Sequence, residues 1–116
     1  MESACPGQNV TFTCTVSSRA HRWEIPSLNI TRNLLPADGE SLRVYQDHPF
    51  QIAVIDAGTP MKSTATVTVN EALNGTIVFC QDVNSAQPLG SPDVHTQINT
   101  VKLIGELYNY NYCPLK

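Results

Sequence analysis

The stretch Val10-Thr11-Phe12-Thr13-Cys14-Thr15-Val16 decides the fold of this chain. Apolar side chains alternate with threonine at every step, and this period of two is typical of a β-strand with one buried and one wet face. A second run, Asn74-Gly75-Thr76-Ile77-Val78-Phe79-Cys80, is a turn signal followed by a β-branched strand. Each run therefore predicts a strand that places a cysteine, Cys14 or Cys80, on its buried face.

Short strand signals continue along the rest of the chain, and no helical stripe of useful length interrupts them. Pro36-Ala37-Asp38-Gly39 is a strong turn signal between two of them. Many short strands separated by turns predict an all-β sandwich of two sheets. The further predicted strands cover residues 21–25, 28–31, 42–45, 50–55, 63–69 and 96–104.

Composition narrows the class of function. The chain has 116 residues and a net charge of −3, which fits one domain without the basic patch of a nucleic-acid binder. Its four cysteines form no C-x-x-C, no histidine stands at zinc-ligand spacing, and no calcium loop or phosphate-cradling glycine loop is present. The three histidines are isolated in sequence, and His21 falls on an inward position. We therefore expect a protein that is not an enzyme and has no metal or cofactor.

Cys14, Trp23 and Cys80 together resemble the core of an immunoglobulin superfamily domain, over residues 5–104. The resemblance implies a Greek-key sandwich in which Trp23 packs on a Cys14–Cys80 disulfide. The two cysteines are 66 residues apart. That interval leaves room for an extra strand C′, so we expect a variable-type or intermediate-type arrangement.

Two departures from the family pattern are visible. Val78 stands where the family's tyrosine corner would be, and strand A is short or missing because only thirteen residues precede Cys14. The turn Leu73-Asn74-Gly75-Thr76 is similar to that of divergent invertebrate surface receptors.

The resemblance also frames the domain limits. We expect one domain over residues 1–104 and a tail over 105–116, stapled to the N-terminus by a Cys5–Cys113 disulfide. The alternative is that Cys113 bonds a neighbouring domain or a second chain. The register of strand G stays open, because Ile98, Val101, Leu103 and Ile104 fall on both parities, and a bulge near Thr100 would reconcile them.

Three N-x-T sequons are candidate glycosylation sites, at Asn9, Asn29 and Asn74. Any one of them could equally be an ordinary strand Asn and Thr. Together with an even number of cysteines they favour an extracellular chain, expected to be the ectodomain of a plasma-membrane protein whose membrane segment lies outside this sequence, or a secreted protein.

Strand parity gives the sharpest functional expectation. If Cys80 faces the core, then Ile77, Phe79 and Gln81 face outward, across from Arg22 and Glu24 on strand C. An apolar centre with a charged rim is the composition of a protein–protein interface. The alternatives are that Phe79 is covered by the tail after Gly105, or that it is a routine exposed aromatic.

The loop after strand F is the second candidate for recognition, because its polar side chains stand on a rigid scaffold. A plain connector is the alternative interpretation. The loop residues concerned are Asn84, Ser85, Gln87, Leu89 and Ser91.

These features predict a recognition or adhesion module of a cell-surface receptor, which binds another protein or a copy of itself. By resemblance, an invertebrate recognition or adhesion receptor fits best, a class that includes allorecognition-type proteins that bind homophilically. A soluble effector or decoy and a structural spacer domain are the alternatives.

Overall fold

The computed structural model describes residues 3–35, 43–56, 58, 61–83 and 96–103, without the side chains of Ser3 and Leu103. Ten strands and two single-turn 3-10 helices, Pro26–Leu28 and Glu71–Leu73, lie in these ranges. The strands are β1 Ser3–Ala4, β2 Asn9–Thr13, β3 His21–Ile25, β4 Ile30–Leu34, β5 Arg43–Asp47, β6 Phe50–Asp56, β7 Lys62–Thr68, β8 Ile77–Asp82, β9 Thr96–Thr100 and β10 Lys102–Leu103.

Two antiparallel four-stranded sheets pack as a sandwich, as predicted. The first sheet has the order β4-β3-β8-β9 and the second β2-β7-β6-β5. The chain crosses between the sheets after β2, β4 and β7, so each sheet mixes strands that are distant in sequence. We call the solvent side of the first sheet the front face and that of the second sheet the back face. The architecture is compatible with an immunoglobulin-like fold.

The inward side chains of both sheets form one core. Buried positions alternate with more exposed ones along β2, β3, β6 and β7. A disulfide joins Cys14 and Cys80 across the sheets, with their Cα atoms 6.0 Å apart. Trp23 is fully buried in the same cluster. The disulfide and its tryptophan are therefore placed as the sequence predicted.

The edges of the sandwich differ in detail from the sequence prediction. The strand predicted over residues 28–31 begins later, as β4, because Pro26 starts a 3-10 turn and Asn29 closes it in the left-handed region with φ 56°. The segment near Val44 forms β5, which pairs with β6 and so joins the second sheet.

The predicted position of the bulge, near Thr100, was wrong. Strand β9 keeps one register along β8 from Thr96 to Thr100. The bulge lies on the opposite segment, directly before β8. There the Gly75 N–H donates to the Val101 carbonyl (2.8 Å), and the Val101 N–H donates to the Thr76 carbonyl (2.9 Å). Gly75 has φ 88°, so Gly75 and Thr76 together oppose Val101 in a bulge that needs a left-handed glycine.

Strand β1 is only two residues long and pairs in parallel with β10, which confirms a short first strand. Cys5, directly after it, is buried and disulfide-bonded. Cys113, Ile104 and the tail over 105–116 lie outside the described residues, so the Cys5–Cys113 pairing stays a prediction.

Candidate functional site

The front face is built from three rows of outward side chains across its four strands. Backbone pairing places Arg22 beside Asn33 and Gln81, and Glu24 beside Thr31 and Phe79. On β9, Thr96 lies opposite Gln81, Ile98 opposite Phe79, and Thr100 opposite Ile77. The predicted residues Arg22, Glu24, Ile77, Phe79 and Gln81 therefore share one surface.

The exposed apolar centre of this face is not Phe79 itself. Phe79 points outward but is only 9% exposed, whereas Ile77 is 43% and Ile98 37% exposed. The two isoleucines are diagonal neighbours on adjacent strands, on either side of the phenylalanine. The tail that was the alternative cover for Phe79 lies outside the described residues.

A polar rim borders this apolar centre. Arg22 donates from Nε to Asn33 Oδ1 (3.1 Å) and from Nη2 to the Val83 carbonyl (2.8 Å). Its Nη1 lies 3.9 Å from Glu24 Oε1, a distance at which the ion pair contributes little in water. Arg22 is thus held flat across three strands, with Glu24 two residues further along the same strand.

Gln81 is buried within this outward row. Its Nε2 donates to Thr96 Oγ1 at 3.3 Å. Its amide therefore forms part of the surface framework, while Ile77 and Ile98 provide the accessible apolar area.

A shallow pocket lies at the end of the front face where β3 and β8 meet their turns. It is lined by Pro26, Ser27, Gly75, Thr76, Ile77 and Phe79, and most of its accessible surface is apolar. Asn29 closes the turn that begins at Pro26, and Asn74 directly precedes Gly75. Two of the three sequon asparagines thus belong to the turns that form the pocket.

The back face has a different chemistry. On β2 and β7 most of its outward side chains are threonines, and a hydrogen bond joins the Thr11 and Thr66 hydroxyls (2.9 Å). Its exposed apolar pair is Val44 on the edge strand β5 and Ile55 at the end of β6, at 58% and 49% exposure. Asn9, the third sequon asparagine, lies on this face and accepts a hydrogen bond from Thr68 Oγ1 (2.6 Å).

Inside the sandwich, a chain of hydrogen bonds runs through Ser63. Trp23 Nε1 donates to Ser63 Oγ (2.9 Å), and this oxygen lies 2.7 Å from His21 Nδ1. His21 Nε2 lies 3.1 Å from the Val16 carbonyl, which can only accept. His21 Nε2 therefore carries a proton, and in the neutral form of the ring Ser63 donates to Nδ1. Burial lowers the pKa of His21, against smaller raising effects of the Val16 carbonyl and Asp82.

Cys14, His21 and Cys80 bring metal-binding atom types within 4.8 Å of one another, the one such group among the described residues. The two sulfur atoms are bonded to each other and both ring nitrogens are engaged, so this donor set is occupied by the core itself. As the sequence predicted, His21 is a core residue.

Arg32 ties the two sheets together at their other side. Its Nε and Nη2 donate to the two carboxylate oxygens of Asp47 on β5, both at 2.9 Å, and its guanidinium lies 4.2 Å from the centre of the Tyr45 ring. The hydrogen bonds to Asp47 are the main cause that raises the pKa of Arg32. This contact is structural, because it closes the sandwich between β4 and β5.

Sequence reasoning missed Ile98 and Ser63, for different reasons. Ser63 has the same parity as Ala65 and Val67, so its inward position was readable. The outward position of Ile98 could not be read from the sequence, because the inward positions of β9 are the polar Gln97 and Asn99. The second candidate surface, the loop over residues 84–91, lies outside the described residues.

Comparison of the chain with protein-family models, curated proteins and solved structures gave no match. In the part of the chain that the structure describes, no helix has the length and apolar character needed to cross a membrane.

Proposed function

We propose that this chain is an immunoglobulin-like recognition module of an extracellular protein, which binds another protein through its front face. A second copy of the chain is the first candidate partner. The observation that carries the proposal is the two-sided apolar character of β8, whose inward Val78 and Cys80 alternate with outward Ile77 and Phe79. Burial of Val78, Cys80 and most of Phe79 contributes to folding, whereas the exposed Ile77 provides apolar area for a partner.

The back sheet provides an internal comparison. Its strand β7, which is just as central, carries Thr64, Thr66 and Thr68 at its outward positions. A sandwich strand therefore folds here with a fully polar outer side. An apolar outer side on β8, extended by Ile98 on β9, is the chemistry of an interface centre.

The rim supports a second copy as the partner. Arg22 and Glu24 both lie on β3 and point outward from the front face. In an isologous two-fold contact, Arg22 of one copy can meet Glu24 of the second copy, and Glu24 of the first then meets Arg22 of the second. Each positive side chain is thus paired with a negative one. The same face in variable-type relatives pairs with another immunoglobulin domain, which agrees with this choice.

Self-association of the chain, prepared without N-linked sugars, tests the proposal. Sedimentation velocity over a wide concentration range is expected to show dimers for the wild type. Ile77→Asp and Ile98→Asp are expected to abolish them, because each places a charge in the apolar centre. Phe79→Asp is a poor choice, since a nearly buried charge there would disturb the fold.

Val44→Asp is the matched control, an exposed apolar residue on the back face with the same change of charge. Its dimerisation should equal that of the wild type. Dimers lost in Val44→Asp but kept in Ile98→Asp would move the interface to the back face. A monomer at every concentration would overturn self-association and favour a spacer domain or a partner of another kind.

A further inference from the structure

Two of the three sequons flank an apolar pocket of the front face, and this placement affects access to the pocket. Asn29 and Asn74 are both exposed, and each lies in a turn whose neighbouring residues, Pro26 and Gly75, line the pocket. Ile77, which also lines the pocket, has 43% of its surface accessible.

We propose that N-linked sugars on Asn29 and Asn74 cover this pocket and Ile77, and so confine contact with a partner protein to the part of the front face around Ile98 and Arg22. The proposal rests on the proposed function in that the chain must pass through the secretory pathway. N-linked sugars are bulky and solubilising, so their attachment beside an apolar pocket shields it from water and from other proteins.

The backbone at both asparagines is held in a defined turn beside the pocket. Asn29 adopts the left-handed conformation and donates its backbone N–H to the Pro26 carbonyl (3.1 Å), which fixes it at the rim of the pocket. Asn74 donates its backbone N–H to the Glu71 carbonyl (3.2 Å) before the Gly75 bulge, so it too is held by a defined turn.

The third sequon supplies a control within the same molecule. Asn9 lies on the back face, where its Oδ1 accepts from Thr68 and its Nδ2 is left for a sugar. A sugar on Asn9 lies on the other sheet, so it should not change the exposure of Ile77.

The experiment uses the chain secreted from eukaryotic cells, with occupancy of each asparagine measured by glycopeptide mass spectrometry. Carbene footprinting then reports the exposure of Ile77. We expect labelling of Ile77 to rise about twofold or more when both flanking sequons are removed by Thr31→Ala and Asn74→Gln, because the shielding sugars are lost. Thr31→Ala is used because it keeps the left-handed Asn29.

Thr11→Ala, which removes the sequon at Asn9, should leave Ile77 labelling unchanged. The same double variant made without sugars should also match the unglycosylated wild type, which separates the sugars from the substitutions. Equal Ile77 labelling with and without occupied Asn29 and Asn74, or finding both asparagines unoccupied, would overturn the inference. Footprinting does not require dimers, so loss of the proposed function and loss of this cover are read separately.

Discussion

Ser63→Ala should remove the centre of the buried polar chain beside the disulfide. The serine hydroxyl is the acceptor for the Trp23 indole N–H and the donor to His21 Nδ1, and all three side chains are fully buried. Alanine fits the space, but it can neither accept a hydrogen bond from Trp23 nor donate one to His21. Two buried polar groups would lose their partners while still excluded from water.

The size of the effect follows from this count. One unsatisfied buried polar group costs about 1–3 kcal/mol, so the loss of two predicts a fall in the free energy of unfolding of about 2–6 kcal/mol. That is a large part of the stability of an ordinary domain, which is about 5–15 kcal/mol. The variant should therefore fold, with a much lower urea midpoint.

Urea unfolding of the wild type and of Ser63→Ala measures the effect, with Thr64→Ala as the control. Thr64 is the next residue on β7 and points outward, so its loss should cost less than about 1 kcal/mol. Trp23 is the one tryptophan of the chain, so its indole N–H gives a single NMR signal whose exchange with water should accelerate in Ser63→Ala. Equal stability of the two variants, with an unchanged indole exchange rate, would refute the reasoning.

Two further predictions concern the same core and the sheet edge. Burial lowers the pKa of His21 below 6.5 in the folded protein, so His21 takes up its proton in the unfolded chain first as the pH falls. The free energy of unfolding should therefore be level above about pH 7.5. Below pH 6.5 it should decline by up to about 1.4 kcal/mol per pH unit, until the pKa of His21 in the folded protein is reached. Urea midpoints between pH 8 and 5.5 check this, and a His21 NMR titration midpoint at or above 6.5 would contradict it. Arg32→Ala should cost about 1–2 kcal/mol through loss of the paired hydrogen bonds to Asp47 and the contact with Tyr45, and Arg32→Lys somewhat less; thermal unfolding that is unchanged in Arg32→Ala would show that this edge contact adds nothing.

The facing of the central strands was predictable because side chains alternate with a period of two. Once Cys80 was assigned to the core, the outward positions of Ile77, Phe79 and Gln81 followed, and the pairing of Glu24 with Phe79 confirms the alignment of β3 with β8. Parity says nothing about how far neighbouring groups cover a side chain. The small exposure of Phe79 therefore required the three-dimensional structure.

The edge strands were predicted less well, and the reason is physical. Gln97 points inward on β9, but at the open side of the sandwich its amide bonds the Thr13 carbonyl and both the backbone N–H and the hydroxyl of Thr15. A polar side chain is satisfied there, so hydrophobic alternation no longer marks the inner face. The pairing of β5 was equally hidden, because its residues are half-buried or exposed and carry no strong pattern.

The contrast between β7 and β8 connects the fold with the proposed function. Both strands are central in their sheets, both supply inward residues to one core, and the solvent would accept threonine on the outer side of either. Burial accounts for Phe79, which is 9% exposed, so Ile77 and Ile98 are the outward apolar residues that the stability of the sandwich does not explain. In our proposal a partner surface gives these isoleucines a role, and the proposed sugars at Asn29 and Asn74 would leave the region from Ile98 to Arg22 as the accessible part of the front face.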